Sequence, residues 1–241
     1  VSRILTFRSL DSTNSEVARQ ADAGAPDGLW VLAEQQTAGR GRRARAWVSP
    51  PGNLYATGLV RPQLGEPPAA QLSFVAGLAS HAAIAAFVPD VQLKWPNDLV
   101  VDRAGQRLKL SGILLEASGV RTPQVIAVGI GINLAHHPTD VERPATSVAA
   151  VTGTAPAPLA VLEAVITAFD HWRALWSAEG FAPVRAAWLE RCTGLGERIA
   201  VRLGGPDLTG TFQGIDSEGA LRLRLDSGDE RAIHAGDVFG I

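Results

Sequence analysis

A chain of 241 residues with 46% hydrophobic and 19% charged side chains can bury a real core, which excludes a disordered chain and predicts one main domain with a small appendage. A formal net charge of −2 excludes an overall electrostatic pull toward nucleic acid or anionic membrane, so any basic function is local. The lone Cys192 cannot form an internal disulfide, which fits a reducing, cytoplasmic setting; Val1 to Leu10 lacks a signal peptide's apolar core, and no apolar run reaches the roughly 20 residues of a membrane span.

In chain order, Ile4 to Phe7 reads as a short strand, and Thr13-Asn14-Ser15-Glu16 has the spacing of a capping box opening a helix to about Ala23. Leu29 to Glu34 and Asn53 to Val60 read as strands; the Arg- and Gly-rich stretch between them, Thr37 to Pro51, has too little apolar content for core and is expected to be a mobile surface loop. Ala69 to Val88, between Pro68 and Pro89, predicts a long helix apolar on one face. Strands follow at Gln92 to Trp95, Leu99 to Val101, Leu110 to Glu116 and Gln124 to Ile130, then a loop from Ala135 to Thr146. Helices are expected from Pro158 to about Ala178 and from Pro183 to Cys192. From Gly194 the texture changes to short alternating runs, Arg198 to Leu203, Leu208 to Ile215, Ala220 to Leu225 and Arg231 to His234, between Gly-, Asp- and Ser-rich turns, which predicts a small all-β barrel.

Five segments carry residues suited to chemistry. In Gln36-Thr37-Ala38-Gly39-Arg40-Gly41-Arg42-Arg43-Ala44-Arg45-Ala46-Trp47, glycines permit close backbone approach and arginines gather positive charge, as a phosphate or carboxylate site requires; a solvated basic loop or nucleic-acid patch fits the same residue types. Lys94-Trp95-Pro96-Asn97-Asp98 presents an amide beside a carboxylate, either for a nucleotide or magnesium or as a plain turn. All basic residues but Lys94 and Lys109 are arginine, so a compact ammonium at each needs a reason; Lys109, at the entrance of an apolar strand, either stabilises charge at a reacting centre or snorkels to water. Gly129-Ile130-Gly131-Ile132-Asn133 would let a flat ring approach the backbone, or would form a β-bulge. Ser12-Thr13-Asn14 caps a helix, or offers hydroxyls and an amide to a ureido group. The five histidines and Cys192 have no metal-ligand spacing.

Together and in this order, these motifs closely resemble those of the bacterial biotin protein ligases, over essentially the whole chain. The resemblance implies an α/β (α+β) fold: a mixed-sheet catalytic domain flanked by helices over residues 1–192, then an SH3-like β-barrel over 193–241. It implies ATP-dependent formation of biotinyl-5'-AMP and transfer of biotin to a lysine of a biotin carboxyl carrier protein, with magnesium neutralising the leaving pyrophosphate. By the same resemblance Ser12, Thr13, Asn14, Gln36, Gly39, Arg40, Gly41, Arg42, Lys109 and Gly112 match biotin-binding positions, with Lys109 and Arg40 the catalytic cations. Arg42, Arg45, Trp47, Lys94, Asn97, Asp98, Gly131 and Asn133 fall on the ATP side, Asp98 being the candidate magnesium ligand. The sequence begins almost at the first catalytic strand, without the winged helix-turn-helix some members carry, so no DNA binding is expected; an exposed sheet leaves room for a homodimer. A lipoate ligase of related fold and a non-catalytic biotin-binding module are the rival readings.

Overall fold

The computed structural model describes residues 3–118, 125–139, 141, 143–204 and 206–240. Val1, Gln124 and positions 140 and 142, at the ends of or within segments expected above, lie outside the described residues. Strands β1 (Arg3–Leu10), β2 (Leu29–Gln36), β3 (Leu54–Val60), β4 (Gln92–Lys94), β5 (Asp98–Arg103), β6 (Gln106–Ser118) and β7 (Val125–Ile132) form one sheet in the order β1-β2-β3-β7-β6-β5-β4. Its β1–β2 pair is parallel and the other pairs are antiparallel, so the sheet is mixed.

Strands β2 and β3 read as nearly continuous apolar runs because both faces of the sheet are covered. Trp30 and Leu32 join the large core under helices α2 (Leu72–Ala85), α4 (Pro158–Glu179) and α5 (Phe181–Glu190), while Leu29 and Val31 meet Val17 of α1 (Thr13–Asp22) on the opposite face. Gly58 makes room for Trp30, which packs edge-on against Phe169: a Cβ at Gly58 would lie 2.9 Å from the indole. Pro158 starts α4, where its missing N–H costs nothing. Helix α2 is not apolar on one face only; Phe74, Val75, Ala76, Gly77 and Leu78 are all buried, because it is enclosed between the sheet and the other two helices. A short helix, α3 (Val148–Thr152), capped by the Ser147 hydroxyl, was not anticipated.

Two local expectations give way to tertiary contacts. The N-cap of α1 is Ser12, whose own side chain makes no capping bond: Glu16 bonds to Arg19 and Gln20 (2.7 Å each) instead of to the helix start, where the Thr13 N–H is met by Gln36 Oε1 at 2.9 Å. Lys109 stands inside β6, after a hairpin from β5, and not at the strand entrance.

Strands β8 (Arg198–Arg202), β9 (Leu208–Ile215), β10 (Leu221–Leu225), β11 (Glu230–Ile233) and β12 (Asp237–Gly240) form a second, antiparallel sheet in the order β11-β10-β9-β8-β12. The expected closed barrel is absent among the described residues: β11 and β12 are opposite edges and do not pair. Alternation specifies one apolar face, and here that face is buried against the helices of the first sheet rather than by wrapping round on itself. Ile199, Val201, Phe212 and Leu223 share the core of α2 and α5. Trp95 Nε1 donates to the Gly219 carbonyl at 3.1 Å and Arg185 Nε to that of Ile215 at 2.6 Å across the junction.

Candidate active site

A pocket of about 350 Å³ opens above β3, β6 and β7, and its two ends differ in chemistry. Its polar end is built on the start of α1. Thr13 and Asn14 are buried there, and the fully buried Thr57 hydroxyl of β3 lies 2.6 Å from Asn14 Oδ1 and 2.7 Å from the Thr13 hydroxyl. Gln36 Oε1 accepts from the Thr13 backbone N–H at 2.9 Å, while Gln36 Nε2 donates to Ser49 at 3.0 Å, which ties this end to the arginine loop. Asn14 sits where a Cβ on Gly129 would be, so that glycine is the seat of the amide.

The arginine loop is folded across the pocket. Gly41 N–H bonds to the Arg45 carbonyl (2.8 Å), Trp47 N–H bonds to that of Gly39 (2.9 Å), and Arg42–Ala44 make one tight turn with Arg43 at φ 55°. The flat ring expected over the glycine-interrupted strand is the chain's own Trp47: a Cβ on Gly131 would lie 2.6 Å, and one on Gly112 3.1 Å, from its indole. The buried Trp47 Nε1–H has no hydrogen-bond partner among the described residues.

The opposite end is charged. Lys109 Nζ lies 2.6 Å from Asp98 Oδ1 and 5.4 Å from the Trp47 ring centroid. Arg42 donates to Asn97 Oδ1 at 3.2 Å, and burial lowers the pKa of its guanidinium. Asn97 in turn donates to the Ile113 carbonyl at 2.6 Å. Asp237, reaching in from β12, is met by Arg43 (3.1 Å), Arg45 (2.8 Å) and Arg143 (2.8 Å). Burial alone would raise its pKa, but Arg143 and Arg45 outweigh that and hold it below the usual carboxylate value. Arg143 also stands 3.9 Å from Asp98. The described residues contain no cluster of three His, Cys, Asp or Glu side chains fit to hold a metal, and both pocket aspartates are already matched by cations.

Of the residues singled out in the sequence, Ser12, Thr13, Asn14, Gln36, Arg40, Gly41, Arg42, Arg45, Trp47, Asn97, Asp98, Lys109, Gly112, Gly131 and Asn133 line this one pocket. Arg40 is at its polar end, bonded to Ser15 and Glu116 (3.0 Å each), away from Lys109. Asn133 is buried and donates to the Thr146 carbonyl. Gly39 and Lys94 do not reach the pocket wall; Lys94 is half-buried on β4, where desolvation lowers its pKa. Sequence reasoning missed Thr57, Tyr55, Arg143 and Asp237. Tyr55, bonded to the Pro50 carbonyl, has its pKa pushed up to about 12 by burial. Nothing local in the sequence marks these four; only the fold brings them here.

Residues 6–133 match the Biotin/lipoate A/B protein ligase family and residues 194–239 the Biotin protein ligase C terminal domain. The Biotin–[acetyl-CoA-carboxylase] ligase of Paracoccus denitrificans is 47% identical over 238 residues, covering 95% of this chain and 97% of its own. The bifunctional ligase/repressor BirA of Bacillus subtilis is 32% identical, over 95% of this chain and 71% of its own. The biotin protein ligase of Aquifex aeolicus in complex with biotin and ATP superposes with a TM-score of 0.83 at 27% identity, over 99% and 98% of the two chains. By its match to both halves of the pattern and by these relatives, the chain belongs to the biotin/lipoate A/B protein ligase family.

Proposed function

We propose that the protein is an ATP-dependent biotin protein ligase, which forms biotinyl-5'-AMP and passes biotin to a lysine of a biotin carboxyl carrier protein domain. The observation that carries the reading is a single pocket with the hydroxyl and amide groups of Ser12, Thr13, Asn14 and Gln36 at one end and Lys109, Arg42 and Arg143 at the other. The polar end, Ser12 to Asn14 with Gln36, suits a ureido ring, which offers one carbonyl acceptor and two N–H donors. The cationic end suits the meeting of a carboxylate with an α-phosphate, two anions whose repulsion cations offset. The carboxylate oxygen attacks the α-phosphorus and pyrophosphate leaves; the acceptor amine then attacks the acyl carbon and AMP leaves. Lys109 is assigned charge stabilisation at the first step, and the arginine loop, with Arg40 and Trp47, shelters the reactive anhydride from water.

Magnesium belongs in this reading to ATP, carried on its phosphates as part of the substrate, in keeping with the lack of a protein cage among the described residues. Residues 1–192 are assigned to catalysis and 193–241 to a C-terminal unit that supplies Asp237. The setting is the cytoplasm, consistent with the finding that no described helix is long and apolar enough to cross a membrane. A homodimer contact through an exposed sheet is part of this reading; β1 and β4 are the two edges of the first sheet. The test is exchange of labelled pyrophosphate into ATP with biotin or lipoate as cosubstrate. Exchange with biotin alone supports the reading, exchange with lipoate alone replaces it with the sister activity, and exchange with neither removes the enzyme assignment.

A further inference from the structure

Glu116 lies in the strand that carries Lys109, yet no step described above uses it. Its side chain is 38% exposed at the polar end of the pocket, and one oxygen does two things. Oε2 accepts from Asn14 Nδ2 at 2.8 Å and from Arg40 at 3.0 Å. A carboxylate can only accept, so it holds the NH₂ side of the Asn14 amide toward itself and turns Oδ1 toward the Thr57 hydroxyl, 2.6 Å away. That orientation propagates: Thr57 lies 2.7 Å from Thr13, whose backbone N–H is bonded to Gln36. Arg40, bonded also to Ser15, is the point at which the arginine loop touches the same oxygen.

We propose that Glu116 is a positioning residue: its carboxylate fixes the donor and acceptor polarity of the Asn14 end of the pocket and, through Arg40, latches the arginine loop to that end. The inference rests on the biotin ligase reading and deepens it. Ring recognition and loop closure share one oxygen, so filling the polar end correctly and holding the loop down become linked events. The Gly129 seat beneath Asn14 leaves the amide one place to sit, and Glu116 decides which way round it sits there.

The two limbs separate by substitution. Glu116→Gln keeps a carbonyl oxygen for Asn14 but removes the charge that holds Arg40; Glu116→Ala removes both. Both variants are assayed as full-length chains for the KM of biotin, the KM of ATP and the release of biotinyl-AMP into solution. Glu116→Ala is expected to raise the KM for biotin about tenfold, the scale of a hydrogen bond to a charged group. It also increases adenylate release. Glu116→Gln keeps the biotin KM near that of the unaltered protein but releases adenylate about threefold faster, the scale of a half-exposed ion pair. In neither variant does the KM for ATP change, which distinguishes positioning from general loosening of the pocket. Wild-type values for both variants, or parallel losses for biotin and ATP, overturn the proposal while leaving the ligase reading intact. Absence of biotin-dependent exchange in the unaltered protein removes the reading and the proposal together. Should Glu116→Ala fail to fold, the isosteric Glu116→Gln alone decides: no increase in adenylate release refutes the latch.

Discussion

Lys109 and Asp98 form an ion pair across the β5–β6 hairpin, with Nζ 2.6 Å from Oδ1, and the partners are unequally buried: the aspartate side chain is 6% exposed and the lysine 23%. Lys109 also lines the pocket, with Nζ 5.4 Å from the Trp47 ring centroid, so the same ammonium faces both the aspartate and the space an anion would fill.

Replacing Lys109 by alanine is therefore expected to act twice. Adenylate formation falls about a hundred- to a thousandfold, as for loss of one charge-stabilising donor. Stability falls by about 1–3 kcal/mol because Asp98 is left buried with its remaining ion-pair partner, Arg143, 3.9 Å away. Adding Asp98→Asn should restore most of the stability and none of the rate. Thermal unfolding and single-turnover adenylation of the two variants check this; recovery of both together would assign Lys109 a structural role only.

Asp237→Asn should loosen the arginine loop, since three arginines from two segments converge on that carboxylate. Its pKa is depressed in the folded state, so its contribution to stability is present in full above the unfolded value near 4 and is lost as pH falls through the lower folded value. Melting curves of wild type and Asp237→Asn should accordingly differ at pH 7 and converge in strong acid. A constant difference down to pH 2 would mean that the ion pairs are not its source.

Gly131→Ala should expel the Trp47 indole, since the added methyl would lie 2.6 Å from it. The expected signs are a change in tryptophan emission that is absent in a Trp47→Phe background, and weakened ATP binding with little change in melting temperature. Unaltered emission would show that the strand shifts instead of the ring.

Much of the fold is legible in the sequence because burial on both faces writes itself as apolar runs, as at Leu29 to Ala33, and because Pro158 and Gly180 bracket α4. The pocket lining is legible where its residues are contiguous, as in Ser12 to Asn14 and Arg40 to Arg42. It is not legible where partners are far apart: Asp237 meets Arg43 across 194 positions, and no local pattern encodes that. The same limit explains the open C-terminal sheet, since alternation specifies which face is apolar but not what will cover it. The arginine loop reads as unattached surface because its anchors, Asp237 and Glu116, belong to other elements.

Gly112, Gly129 and Gly131 share one face of β6 and β7, with Gly112 directly opposite Gly131 in register, and together they form a floor without side chains. Any single-nucleotide change in a glycine codon that alters the amino acid adds at least a Cβ, so this floor has no conservative neighbour in mutational space. An inhibitor that displaced Trp47 and rested on the bare backbone would face a surface the organism cannot reshape one substitution at a time without unseating Asn14 or the indole. Escape would have to come from the walls, where residues such as Val48 and Val141 leave room to vary.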